Sequence, residues 1–241
     1  MPEKTLKNKR VIVTGGARGI GRAIATRLLD EGASVAICGT RQKSIDDALA
    51  ILSPRGDVFG MVADVSILDD VRAFIGAALK RFGTIDILVN NAGTATFKSV
   101  AELSPEAWHR MIAVNLTGVY YCCHEVLPIF RNAGGGDIVN ISSLAGKNAF
   151  AGGAGYNASK FGLNGFSEAM MLDHRNEGVR VTAVLPGSVD TGFGGHGAGS
   201  QSPWKIAPED IAAIVLDVLQ MPRRTTVSQI EVRPSRPPQR T

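Results

Sequence analysis

Cysteine is scarce in this chain: Cys38, Cys122 and Cys123 are the only three in 241 residues. An odd count with two adjacent members supplies no disulfide framework, because sequence neighbours do not easily meet the geometry of an S–S bond. A reducing compartment follows, and with it an expected cytoplasmic location. Long apolar runs are missing too. No stretch approaches the roughly 18 apolar residues of a membrane span, and the opening "MPEKTLKNKR" has neither the apolar centre nor the cleavage site of a signal peptide. The four histidines, His109, His124, His174 and His196, lack metal-ligand spacing, and "CCH" at 122–124 is too tight to converge on one ion, so no metal is expected. Internal repeats, low-complexity tracts and linkers are absent, so 1–241 reads as one domain. Lys and Arg number 26 against 22 Asp and Glu, a net charge of +4 gathered largely at the two ends. Without a basic stripe interleaved with aromatics, those ends read as solvated, and neither nucleic acid nor membrane is an expected partner.

What the chain does have is alternation. Short β-branched runs ("RVIVTG", "ASVAICG", "DVFGMVAD", "IDILVNN", "GDIVNIS", "VRVTAVLPG" and a late "TVSQIEV") are separated by segments of helical period such as Ile20 to Glu31 and Val71 to Phe82. Strands that are apolar throughout, instead of alternating, are buried on both faces, which predicts an α/β fold with a parallel sheet covered by helices. The Gly-rich 192–205 reads as a mobile loop leading to a helix that opens near Pro208. The Pro-rich 233–241 reads as an extended tail.

"VIVTGGARGIGRAIA" places glycines where the first strand hands over to a helix. Such a turn can face a phosphate with its N–H groups, or can merely pack a helix tightly. Gly16 and Gly21 have P-loop spacing, but Arg22 and Ala23 stand where Lys and Ser or Thr are needed. The G-x-G-x-x-G fingerprint also fails, since Ile24 takes its last place. What remains is Thr14-Gly15-x-x-x-Gly19-x-Gly21, with Arg18 and Ile20 inside the turn.

In order along the chain come "TGGARGIG", Asp64 after the third strand, "NNAG" at 90–93, Trp108 leading to Val114-Asn115, then Ser143, Tyr156 and Lys160, and "PGSVDT" at 186–191. With these motifs the chain resembles the short-chain dehydrogenase/reductase family over essentially its whole length, its 3-oxoacyl-thioester and carbonyl reductases in particular. The resemblance implies a Rossmann-type, doubly wound, seven-stranded parallel sheet with three helices on each face and a nicotinamide coenzyme across the strand C-termini. It implies contacts to that coenzyme from Gly15, Arg18, Gly19, Ile20, Gly21, Asp64, Val65, Asn91, Ala92, Gly93, Tyr156, Lys160, Pro186, Gly187, Val189 and Thr191. The Asp64 carboxylate would meet the adenine amino group; the alternative is that Asp64 ends the strand and Ser66 caps the next helix. Asn90 reads as a tie between strands. Asn115 would hold a water in a proton relay. A homodimer or homotetramer is implied as well, built on the apolar helices around 105–131 and 155–177.

An isolated Tyr-x-x-x-Lys is commonly an idle surface pair; Ser143, thirteen positions upstream at a strand end, changes that reading. A phenol of pKa about 10 exchanges protons poorly near neutrality. Residues i and i+4 share a helix face, so Lys160 can bring a cation to Tyr156 and favour the phenolate. Tyr156 is then the general acid or base, Lys160 tunes it, and Ser143 hydrogen-bonds the substrate oxygen. Ser142 is expected to cap a turn and Ser159 to be structural. Coenzyme choice rests on the end of the second strand, where Gly39, Thr40 and Arg41 stand instead of an acid. Arg41, Thr40 and Arg18 favour NADP(H) over NAD(H). The expected activity is reduction of a ketone or 3-oxoacyl thioester. A polyol or sugar dehydrogenase is the alternative enzyme, and a silent NADP-sensing protein the alternative from another class. No G-x-S-x-G elbow supports a hydrolase.

Overall fold

The computed structural model describes residues 5–195 and 203–236. The sequence-predicted loop 192–205 and tail 233–241 fall partly outside these, as does His196. Each apolar run becomes a strand: β1 (Arg10–Thr14), β2 (Ser34–Gly39), β3 (Val58–Val62), β4 (Ile87–Asn90), β5 (Gly136–Ile141), β6 (Val179–Pro186) and β7 (Gln229–Val232). They form one sheet in the order β3-β2-β1-β4-β5-β6-β7, every neighbouring pair parallel. "TVSQIEV" yields a strand only from Gln229. Before it, the Val227 carbonyl accepts from the Thr182 side chain at 2.7 Å in place of a ladder partner.

Three helices cover each face. α1 (Gly19–Asp30), α2 (Gln42–Leu52) and α7 (Pro208–Gln220) bury Ile24, Leu28, Ile45, Leu52, Ile211 and Val215 with Val11, Val13 and Ile37 of the sheet. On the other face α3 (Leu68–Phe82), α5 (Gly118–Ala133) and α6 (Ala154–His174) bury Phe74, Val126, Phe130, Leu163 and Met170 with Ile12, Leu88 and Ile138. The central strands β1, β2, β4, β5 and β6, sandwiched in this way, have almost no wet surface, which is why they do not alternate, whereas the edge strand β7 exposes Gln229 and Glu231.

α3 and α7 carry acidic residues in their first turns, as a helix dipole favours. α3 begins with Asp69 and Asp70, ends with Lys80 and Arg81, and stops at Gly83, whose φ of 80° is left-handed. α7 opens at Pro208, and the Asp210 carboxylate accepts the Ala207 N–H at 3.0 Å. α4 (Pro105–Ile112) and α5 are joined by a π turn over Ala113–Thr117, in which the Gly118 N–H reaches back to the Ala113 carbonyl. Asn115 lies in that turn, and such bulges are frequent at functional positions.

β1 sits between β2 and β4, and the winding of the sheet reverses there. In open α/β sheets ligands bind in the crevice beyond the strand C-termini at such a reversal.

Candidate active site

A single cleft of about 1550 Å³ runs over that rim, from Arg41 at one end to Tyr156, Phe193 and Trp204 at the other. Its floor is the turn after β1. Gly15 has φ +63°, and a Cβ on it would lie 2.9 Å from Ala92 Cα. A Cβ on Gly21 would lie 2.3 Å from the Gly15 carbonyl oxygen, so only glycine lets α1 start this close to the strand end. The turn is braced from β4: the Asn91 side chain donates to the carbonyls of Thr14 (3.0 Å) and Gly15 (3.1 Å), and the Thr14 hydroxyl accepts from the N–H groups of Asn91 and Ala92. Asn91 thus shapes the glycine turn as well as lining the cleft beside Ala92 and Gly93. Asn90 ties strands as expected, donating to Asn140 at 2.9 Å.

Arg18 and Arg41 occupy the N-cap positions of α1 and α2 without making a side-chain cap. Both face the cleft with Thr40, and among the described residues neither has a carboxylate within ion-pair distance. Gly39 leaves room for a side chain, because the nearest atom to a Cβ there is Ile45 Cδ1 at 3.5 Å. Asp64 stands on the cleft wall with Val65 and is not alone. Arg110 of α4 pairs with one carboxylate oxygen at 2.8 Å, and Ser66 donates its hydroxyl (2.7 Å) and N–H (3.0 Å) to the other. Burial pushes the Asp64 carboxyl up, but the bonds from Arg110 and Ser66 outweigh it and hold it below the usual carboxylate range. Ser66 therefore does not cap α3, whose N-cap position is held by Ile67 without a side-chain bond.

At the far end, Tyr156 and Lys160 lie one turn apart on α6, and both are buried. Lys160 Nζ donates to the Ile141 carbonyl at 2.9 Å and sits 5.9 Å from the centre of the Tyr156 ring. Burial drives the Lys160 ammonium down to about 8. Tyr156 departs from the sequence expectation: its phenol is raised, because burial outweighs the opposing hydrogen bond from Ser143.

The capping part expected of Ser142 falls to Ser143. Ser143 accepts the Ala145 N–H at 3.1 Å, capping the short turn that follows β5, while Ser142 donates to Asn164 of α6 at 2.6 Å. Asn115 is fully buried, and both hydrogens of its amide are used, one on the Thr94 carbonyl (2.9 Å) and one on the Ser159 hydroxyl (3.0 Å). Its side-chain oxygen accepts the Thr94 N–H at 2.8 Å. Pro186 at the end of β6, with Gly187, Val189 and Thr191 beyond it, lines the cleft, and a bridge between Val189 and Ile206 pins the two ends of the loop together.

A short chain dehydrogenase family profile matches residues 9–198. The chain belongs to that family of oxidoreductases, which act on CH–OH and C=O groups. It is 37% identical over 189 residues to a 3alpha-hydroxysteroid dehydrogenase of Mediterraneibacter gnavus, covering 77% of this chain and 76% of that protein. Among solved structures it is similar to an alcohol dehydrogenase of the archaeon Thermococcus sibiricus complexed with 5-hydroxy-NADP, with a TM-score of 0.89 and 30% identity over 96% of this chain and 99% of that one. It is also similar to actinorhodin polyketide ketoreductase with NADPH, with a TM-score of 0.87 and 30% identity over 94% and 96%.

Proposed function

We propose that the protein is an NADP(H)-dependent reductase of ketones or 3-oxoacyl thioesters in which Tyr156 hands the proton to the substrate oxygen. The observation that carries this reading is the buried phenol on α6, one turn from a buried ammonium and beside Ser143, at the opposite end of the same cleft from the glycine turn. The glycine cradle and the two arginines without carboxylate partners fit a phosphate-bearing dinucleotide. Gly15, Gly19, Ile20 and Gly21 would hold its diphosphate, Arg18, Thr40 and Arg41 a 2′-phosphate, Asp64 and Val65 the adenine, and Asn91 to Gly93 with Pro186 to Thr191 the ribose and nicotinamide. When bound, the coenzyme supplies or accepts the hydride at the substrate carbon.

The chain's own groups handle position and protons. Ser143 donates to the substrate oxygen, so that charge developing there is met by a hydrogen bond. A raised phenol pKa keeps Tyr156 protonated at neutrality, which suits a group that must give a proton to an alkoxide. Lys160, 5.9 Å from the ring centre, would offset the charge of the phenolate left behind. The amide of Asn115 is committed to Thr94 and Ser159, so a relay water would meet its backbone carbonyl in the π turn. The hydroxysteroid dehydrogenase and ketoreductase relatives favour carbonyl chemistry on a carbon skeleton over a polyol or sugar.

Tyr156→Phe tests the assignment. It deletes only the exchangeable proton, and general acid–base groups are worth about 10²–10⁴-fold in rate. Turnover should fall by that amount with NADPH affinity unchanged; near-normal turnover refutes the role.

We also propose a homo-oligomer formed through α5 and α6. Tyr120 (47% exposed), Phe161 (46%) and Leu172 (50%) leave large apolar groups on these helices open to water. A monomeric mass by light scattering, with full activity, would contradict it.

A further inference from the structure

Two phenylalanines from distant parts of the chain pack on Tyr156, and a third packs on one of them. Phe97, beyond β4, presents its ring edge-on to Tyr156 at 5.7 Å and 84°. Phe193, beyond β6, lies 5.9 Å from the same ring, and Phe150, just before α6, lies 5.7 Å from Phe97. Rings packed this closely in a core are buried, yet Phe97, Phe150 and Phe193 are 38%, 46% and 38% exposed. Their uncovered surfaces line the cleft, with Trp204 on the same wall. The chain also makes a backbone concession here. Gly194 takes φ +74°, and a Cβ on it would stand 2.9 Å from Phe97 Cε2, so glycine lets the loop close against that ring.

Beside Ser143 and Tyr156, Asn148 is the polar side chain next to Phe150 among the described lining residues, and its amide faces the Leu144 carbonyl at 3.5 Å. The described lining here also carries Thr94, Thr191 and Lys205, of which Thr191 accepts the Phe193 N–H at 3.3 Å and Lys205 pairs with Asp190 at 4.0 Å. A polyhydroxylated substrate laid against the three rings would shed water from hydroxyls that a ring face cannot replace, at a cost for each. A flat apolar ring instead finds edges and faces at the 4.5–7 Å spacing that aromatic groups prefer.

We infer that the substrate is a ketone carried on or beside a flat apolar ring, held against Phe97, Phe150 and Phe193 with its oxygen toward Ser143. This rests on the reading of Tyr156 as proton donor. The test therefore separates binding from turnover. With the protein saturated in NADP+, which cannot reduce a ketone, calorimetry would compare 1-tetralone with erythrulose, a hydroxyl-rich ketone. Tetralone should bind at least about tenfold more tightly. Phe97→Ala and Phe150→Ala should each weaken it about two- to tenfold, as expected for loss of one aromatic contact. Phe97→Leu keeps apolar volume and should show the same direction even if the alanine variant folds poorly. Equal affinity for the two ketones, or a tetralone affinity untouched by all three substitutions, overturns the inference. Normal tetralone binding with undiminished turnover in Tyr156→Phe would sink the proton-donor reading and leave the ring-binding wall standing.

Discussion

The amide of Asn115, in the π turn between α4 and α5, donates to the hydroxyl of Ser159 on α6 at 3.0 Å, and that hydroxyl in turn donates to the Tyr156 carbonyl at 2.8 Å. Ser159 has no exposed surface and stands between the tyrosine and lysine in sequence, yet its task is to lock the π turn onto the helix that carries them. Ser159→Ala leaves a buried amide hydrogen without a partner, which costs about 1–3 kcal/mol. The urea midpoint should fall accordingly with an unchanged m-value, and kcat should fall with it as the turn loosens; an unchanged midpoint refutes the link.

The pH dependence has opposite signs for stability and activity. The folded pKa of Lys160, about 8, lies below its ordinary 10.5, so the native state binds fewer protons between those values. Burying the ammonium is a penalty fully present below about pH 8 and relieved as pH rises toward 10.5, by about 3 kcal/mol at one pKa unit per 1.36 kcal/mol. Lys160→Met should thus be more stable than wild type at pH 7, with the gap closing at higher pH. The wild-type kcat/KM for NADPH, which reports free-enzyme groups, should decline as pH rises through about 8. A flat profile up to pH 9.5 would contradict the assignment.

Coenzyme choice can be moved at the end of β2. A Cβ on Gly39 meets nothing closer than 3.5 Å, so an aspartate fits there. Gly39→Asp with Arg41→Ala removes a charge-assisted contact worth roughly 1.5–3 kcal/mol and adds a carboxylate that repels a 2′-phosphate. The kcat/KM ratio of NADPH to NADH should drop at least about tenfold. In wild type it should exceed one and shrink with added salt; a wild-type ratio favouring NADH would refute the reading.

On the opposite rim, Arg180 is 9% exposed and bonds the Asp137 carboxylate at 2.6 Å, the Met221 carbonyl at 2.8 Å and the Leu219 carbonyl at 3.3 Å. It fastens the end of α7 to the sheet. Arg180→Met should destabilise the protein by about 3 kcal/mol, because Asp137 keeps only Arg223 and the carbonyls lose their donor. KM values should stay constant, since every site residue lies beyond the other ends of the strands.

The sheet and the glycine turn are legible in the sequence because their signals are local: apolar runs without alternation, and glycines where a Cβ would strike a carbonyl. Residues that act across the fold carry no such signal. Arg110 is 44 positions from its partner Ser66, and Ser159 is 44 from Asn115, so spacing says nothing of either pair. The raised phenol has no local signal for the same reason, since burial is a property of the whole packing around Tyr156. Phe97, Phe150 and Phe193 leave one faint trace: each lies within about ten residues after a strand end on the same rim as the glycine turn.

The sheet order also sets a timetable for the newborn chain. β1 is made first but finishes in the middle, and its second edge has no partner until β4 arrives; Arg10 waits 76 residues for the Asp86 carboxylate that accepts its N–H. At roughly 5–20 residues per second, that is about 4–15 s on the ribosome with one edge of an apolar strand unpaired.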